Sequence, residues 1–419
     1  MAALRLTGSV YLFSVSCEAP DKILWEFMMT TPTDNRASTP FFSEAAIDVE
    51  DFKRLCSQST SLAEYLHAQA VEQNILIYDG PAVRRLLTSD DTKTSLKHEL
   101  ARSLKDGPGV LVIKAAYEDV SVIDRTTTLF REIVTAERSA GAAKGDHFGR
   151  NERIWNATQK ACVLAPDLFI DYYGSPIMAL VCEAWLGPNY RITAQMNNVK
   201  PGNKAQSVHR DYHLGFQSKQ TAARFPAHAQ IMSQYLTLQG AIAHMDMPLK
   251  MGPTVVLPYS HQYGPGYLAY KRPEFGQYFN EHRSQLPLGK GDMIFFSPAL
   301  FHGAGENTTG DDRVANLLQV SSAFGRTMET INNHAMIEAV YPALIKRVEN
   351  GAAAADVVEN IIATVADGYA FPTNLDSDPP IGGNAPETQQ DVMRRAIAER
   401  WSAGKLLETL TQYADRRKA

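Results

Sequence analysis

The segment Ser207-Val208-His209-Arg210-Asp211-Tyr212-His213 sets an imidazole and a carboxylate two residues apart. On an extended strand alternate side chains share a face. His209 and Asp211 would then aim one neutral nitrogen and one anionic oxygen at a single point. Such a pair suits a divalent first-row metal, and a facial triad with open positions needs a third ligand from elsewhere in the chain. By itself the pair is weak. Among 11 histidines and 46 acidic residues some such spacings arise by chance, and His209 alone reads as a hydrogen-bonded structural histidine. His147, directly after Asp146, passes the same superficial test.

A second segment sharpens the reading. Leu288-Gly289-Lys290-Gly291-Asp292 is a turn leading into the apolar run Met293–Phe296. After it come Phe301-His302-Gly303-Ala304-Gly305, the polar turn Glu306–Asp312, and Arg313 at the start of another apolar run. His302 closing one strand and Arg313 opening the next could both face a barrel interior. An inward arginine is costly without an anion. A dicarboxylate would satisfy Arg313 with a bidentate pair at its far end, while a 2-oxo acid at its near end chelated the metal. The plain alternative is a surface Arg313 paired with Asp311 or Asp312, a contact of little energetic value.

The surrounding elements supply the scaffold. Arg191–Val199, Ala229–Ala243, Thr254–Leu257, Asp292–Phe296 and Val314–Ser321 are β-prone runs separated by Pro-, Gly- and Asn-rich turns, which predicts a jelly roll or barrel. Asp106-Gly107-Pro108-Gly109 is a strong breaker before the buried-strand run Val110–Lys114. Ser43–Asp106 reads mainly as helix, with apolar stripes at Leu62, Leu66 and Ala70 and at Leu96, Leu100 and Leu104. A further helix is predicted over Ile123–Ala136, a loop over Gly141–Asn156, and helices over Ile337–Val348, Asp356–Ala366, Gln389–Trp401 and Lys405–Tyr413, with a loop at Pro372–Pro386.

Together these residues resemble the phytanoyl-CoA dioxygenase-like branch of the Fe(II)/2-oxoglutarate oxygenases. The family pattern is a histidine-x-aspartate, a glycine-led strand ending in Pro-x-Ser-His, a Gly-Asp, a distal histidine and an arginine. This sequence carries His209 and Asp211, Gly252 through Pro258-Tyr259-Ser260-His261, Gly291-Asp292, His302 and Arg313, in that order. The likeness extends over about residues 105–325. It implies a mainly β core, a double-stranded β-helix (jelly roll, cupin-like) flanked by N- and C-terminal α-helices. The implied organisation is a tail at 1–40, helices at 41–104, the catalytic core at 105–325 and a helical extension at 326–419. It implies Fe(II) held by His209, Asp211 and His302, with 2-oxoglutarate and O2 as co-substrates and Arg313 on the distal carboxylate. Asn198 or Gln195 would meet the metal-side carboxylate, strand parity admitting only one of them. The hydroxyl that relatives often carry two residues after the distal histidine is absent, since Ala304 stands there. Thr254 or Ser321 would substitute. Related halogenases have alanine or glycine where Asp211 stands, so its presence implies oxidation, by hydroxylation, desaturation or ring closure.

His213, Tyr212, Phe216, Trp155 and Phe148 are candidate substrate walls, although aromatic residues are more often simply core. His261 reads as a structural hydrogen-bonding residue. The net charge of −5 over 419 residues argues against nucleic acid. Four scattered cysteines fit small core residues in a reducing cytoplasm. The run Gly8–Cys17 is too short to span a bilayer; it reads as a faint secretory leader, or as sequence ahead of a start at Met28 or Met29. The expected partner is a small-molecule substrate, with no nucleic acid and no membrane, and the flanking helices are available for a homo-oligomer. Two other classes compete with an oxygenase: a cupin-like metal isomerase or hydrolase without 2-oxoglutarate, and a non-catalytic binding protein on the same fold.

Overall fold

The computed structural model describes residues 40–141, 151–370, 376–379 and 385–418. The expected N-terminal tail, apart from Pro40, lies outside them. So do residues 142–150 of the expected Gly141–Asn156 loop, with His147 and Phe148, and most of the Pro372–Pro386 loop.

Among the described residues the strands are β1 (Ala70–Glu72), β2 (Ile75–Asp79), β3 (Val110–Lys114), β4 (Glu152–Ile154), β5 (Arg191–Val199), β6 (Thr237–Ala243), β7 (Thr254–Leu257), β8 (Ser284–Gln285), β9 (Met293–Phe296), β10 (Phe301–Ala304) and β11 (Arg313–Ser321). Eight of them form a large sheet in the order β1-β2-β3-β9-β6-β11-β5-β4. Its pairs are antiparallel except β2 with β3, where the helices Gly80–Leu86 and Asp90–Lys105 carry the chain across, as a parallel pair requires. A smaller antiparallel sheet runs β10-β7-β8.

The period of two sorts the large sheet into two faces. On β2, Leu76 and Tyr78 join the outer core with the helices, whereas Ile75 and Ile77 join the inner cluster. On β3, Leu111 and Ile113 face outward and Val110 and Val112 inward. The inner cluster also takes Ala241 and Ala243 of β6, Ile294 and Phe296 of β9, Ala315 of β11 and Val256 of β7, so the two sheets pack face to face there. Outside, helices from both flanks (Asp90–Lys105, Asn333–Glu349 and Ala355–Val365) and from the core segment between them (Ser121–Ser139 and Pro176–Leu186) share one continuous core with the sheet. Leu96, Leu100 and Leu104 are buried in it, as their spacing predicts.

Four expectations need correction. The fold is not mainly β: helices take up far more of the described chain than strands, because the apolar outer face of the large sheet is covered by a helical layer. The first flank is mainly helical, as expected, but it also holds β1 and β2, which that reading did not include; Ala70 lies in β1, and Leu62 and Leu66 are exposed. The expected strand Ala229–Ala243 is a helix, Ala227–Gln234, followed by β6. Pro226, at the N-cap, fits a helix start better than a strand interior. The expected loop ending at Asn156 contains β4, which pairs with β5. No helix among the described residues is long and apolar enough to cross a membrane. Cys56, Cys162 and Cys182 are buried and unbridged.

Candidate metal centre and co-substrate cavity

His302 sits on β10, and the His209 segment lies beside it. His209 N–H donates to the His302 carbonyl at 3.0 Å and His302 N–H to the His209 carbonyl at 3.1 Å. Asp211 N–H reaches the Pro298 carbonyl, and Gln206 N–H the Ala304 carbonyl. The expected strand is therefore an irregular extended segment with a single antiparallel bridge, His209 to His302, not a laddered strand. Its local alternation still turns His209 and Asp211 to one side.

The ligand atoms of His209, Asp211 and His302 all lie within 4.8 Å of one another, the one such group among the described residues. Asp211 Oδ1 is 3.7 Å from His209 Nε2, and Oδ2 is 3.4 Å from His302 Nε2. Each imidazole faces the carbonyl two residues before it through Nδ1: His209 on Ser207 and His302 on Leu300, both at 2.8 Å. A carbonyl only accepts, so Nδ1 carries the proton and Nε2 keeps its lone pair for a metal. Burial, then His302, pushes the His209 imidazole below the usual histidine range. Burial works to raise Asp211, but the neighbouring His302 and His209 rings and the Gln239 amide outweigh it and hold the carboxyl well below the usual carboxylate range. A neutral His209 and an ionised Asp211 are the forms a metal takes up. The donor set fits iron.

The triad opens into a cavity of about 1230 Å³ that Arg313 also lines. Arg313 is 6% exposed and has no ion pair among the described residues. Its Nη1 donates to the carbonyls of Met251 (3.2 Å) and Gly305 (3.4 Å), and burial lowers it to about 10. Those carbonyls converge because Gly252 and Gly305 pack backbone to backbone: a Cβ on Gly252, which has φ +69°, would lie 2.4 Å from the Gly305 carbonyl. The surface alternative fails, since Asp312 bonds Lys200 and Asn198 instead. A guanidinium neutralised by no side-chain carboxylate at the wall of the metal cavity fits the far end of a dicarboxylate.

Strand parity separates the paired candidates. Gln195 lines the cavity, where its Oε1 accepts from Arg153 Nη1 at 2.7 Å. Asn198 turns to the other face and donates to Glu152 and Asp312, so of the two only Gln195 reaches the cavity. Thr254 lines the cavity, in register with Ala304. Ser321 is at the far end of β11, bonded to the Arg326 carbonyl. Trp155 and Phe216 are walls; Tyr212 and His213 are not among the lining residues. After Asp211 the chain leaves the extended region, with φ +65° at Tyr212 and +40° at His213, and the Tyr212 side chain is buried elsewhere. His261 donates through Nε2 to the Lys105 carbonyl, a structural bond.

Sequence reading missed Asn197, Gln239, Gln319 and Arg153, all on the cavity wall. Asn197 follows from parity once Gln195 is placed inward. Gln239 is a lone amide in the otherwise apolar run of β6 and pairs with Gln319 of β11, which was the signal available. Arg153 gave none, because its strand was read as loop.

A family model described as "Phytanoyl-CoA dioxygenase (PhyH)" matches residues 106–315. No curated protein matches the chain. Among solved structures, the chain is similar to the non-haem alpha-ketoglutarate-dependent epimerase SnoN from nogalamycin biosynthesis, with 17% identity and TM-score 0.38, covering 55% of this chain and 84% of that one. It is similar also to the non-haem alpha-ketoglutarate-dependent carbocyclase SnoK from the same biosynthesis, with 18% identity and TM-score 0.38, covering 53% and 83%. A complex of SnoN with Fe3+, alpha-ketoglutarate and nogalamycin RO matches at 16% identity and TM-score 0.38, covering 58% and 89%.

Proposed function

Because the chain belongs to the phytanoyl-CoA dioxygenase family, we propose that it is an Fe(II)- and 2-oxoglutarate-dependent dioxygenase that oxidises an unactivated C–H bond of a small molecule, by hydroxylation in the simplest case. The facing sheets are read as the two halves of a double-stranded β-helix. One observation carries the reading: His209, Asp211 and His302 share a cavity with a buried Arg313 that has no ion pair among the described residues. A cupin-like isomerase or hydrolase acting without 2-oxoglutarate would need its own substrate to bring an anion to that guanidinium.

Bound together, iron and 2-oxoglutarate supply the oxidising power, consuming O2 and leaving succinate and CO2. The chain's own residues hold and orient. His209, Asp211 and His302 would hold the iron through two nitrogens and one oxygen. Arg313 receives the distal carboxylate of 2-oxoglutarate, with the Thr254 hydroxyl on the neighbouring wall. Gln195 and Asn197 present amides to the same cavity. Trp155, Phe216 and Met328 line it as well and exclude water around the substrate, while Gln319 offers it a hydrogen-bonding group.

Anaerobic titration of the apo protein with Fe(II) and 2-oxoglutarate tests this. A metal-to-ligand charge-transfer band is expected in the wild type and not in His209→Ala. Iron binding without a band in the wild type would overturn the 2-oxoglutarate assignment.

A further inference from the structure

The two imidazoles are held by their own segments, each through Nδ1 on the carbonyl two residues earlier. Asp211 has no such local support. The backbone turns to positive φ at Tyr212 and His213, and no backbone N–H among the described residues donates to the carboxylate. Apart from the imidazoles it faces, its one donor among the described residues is the Gln239 side-chain amide, Nε2 to Oδ2, from a different part of the chain.

Gln239 is well suited to hold it. It lies on β6 near the middle of the large sheet, opposite Phe296 of β9 and Gln319 of β11, and is 5% exposed. Its amide has one favourable orientation. Turned over, Oε1 would oppose an anionic carboxylate oxygen; as placed, Nε2 donates and Oε1 is left without a hydrogen-bond partner on a cavity-lining residue.

We infer that Gln239 is the positioning residue of the metal centre: it sets the rotation of the Asp211 carboxylate, so the third ligand is held by the rigid sheet instead of by its own loop. This rests on the reading that His209, Asp211 and His302 bind iron. Partners of this kind orient ligands without touching the metal, and their loss typically weakens metal binding by about 10- to 100-fold.

The test compares wild type with Gln239→Met, which keeps the length without a donor, and Gln239→Leu. Fe(II) affinity is measured anaerobically, Co(II) replaces iron for its d–d spectrum, and melting of the apo proteins is followed alongside. Both variants are expected to bind Fe(II) about 10- to 100-fold more weakly, with altered Co(II) bands and an apo melting midpoint close to wild type. Unchanged affinity and spectra in either folded variant would overturn the inference. Affinity lost in proportion to apo stability would overturn it too, assigning Gln239 to the fold. A wild type that binds neither metal would instead overturn the metal-centre reading itself.

Discussion

Arg313 has the most demanding surroundings of any residue in the cavity. Two carbonyls solvate one of its nitrogens, but they carry no full charge to match the guanidinium. A carboxylate arriving there would give the guanidinium a charge-assisted pair after folding has already buried it. Hydrogen bonds to charged groups contribute about 1.5–3 kcal/mol, so Arg313→Leu should raise the 2-oxoglutarate concentration for half-saturation by about 10- to 150-fold. Fe(II) affinity without 2-oxoglutarate should stay near wild type, because Arg313 is not among the metal-binding group. Equal 2-oxoglutarate affinities in isothermal titrations of the two proteins would remove Arg313 from the co-substrate site. His209, Asp211 and Arg313 were all legible as residue types at revealing spacings. Gln239 was not, because its significance is one hydrogen bond across 28 residues of sequence.

At the level of elements, short irregular pieces do the positioning. The turn Leu249–Met251 ends at Gly252 with φ +69°, and its contact with Gly305 brings the two Arg313 acceptors together. Gly252→Ala would press a Cβ to 2.4 Å from both the Gly305 and Glu306 backbones. The strained conformation costs about 1–3 kcal/mol, and the clash adds to it. Urea denaturation should show that loss, together with weaker 2-oxoglutarate binding because the acceptors of Arg313 move. A variant as stable as wild type would mean the turn relaxes freely. The His209–Asp211 segment shows why a strand reading was partly right. It is extended enough to alternate, yet it makes one bridge to β10 and then turns sharply at Tyr212. That turn removes His213 from the cavity, where alternation carried one step further had placed it, and Tyr212, expected as an aromatic wall, is buried elsewhere.

At the level of the molecule, one core joins the helices of both flanks to the outer face of the large sheet. It encloses His244, whose nitrogens face Thr127 and Tyr172 at 2.8 Å each. Burial lowers His244 to about 3, and burial lowers His261, near the β3 entry, to about 4. Both folded values lie below the ordinary 6.5, so the unfolded chain binds more protons between about pH 4 and 6.5. Stability must therefore fall as pH falls through that window. Each histidine contributes a slope of up to about 1.4 kcal/mol per pH unit. Urea unfolding at pH 7.0, 6.0 and 5.0 should show a progressively lower midpoint, and a midpoint that does not move would mean these imidazoles are protonated in the fold.

The ordered series from the breaker at Asp106–Gly109 to Arg313, the buried runs of β3, β5 and β9, and the helical stripe Leu96–Leu104 were determined by the sequence itself. Local periodicity and residue chemistry suffice there, since each feature is specified within a few neighbouring positions. The tertiary structure alone decided which face of β5 meets the cavity, admitting Gln195 and Asn197 and turning Asn198 away. It alone made Ala227–Gln234 a helix and Glu152–Ile154 a strand, because short segments with ambiguous propensity take the conformation their neighbours can hydrogen-bond and bury. It alone gave Asp211 its partner on β6. A sheet brings together residues from distant strands, and register between strands is written in pairing and packing, not in the spacing along any one of them.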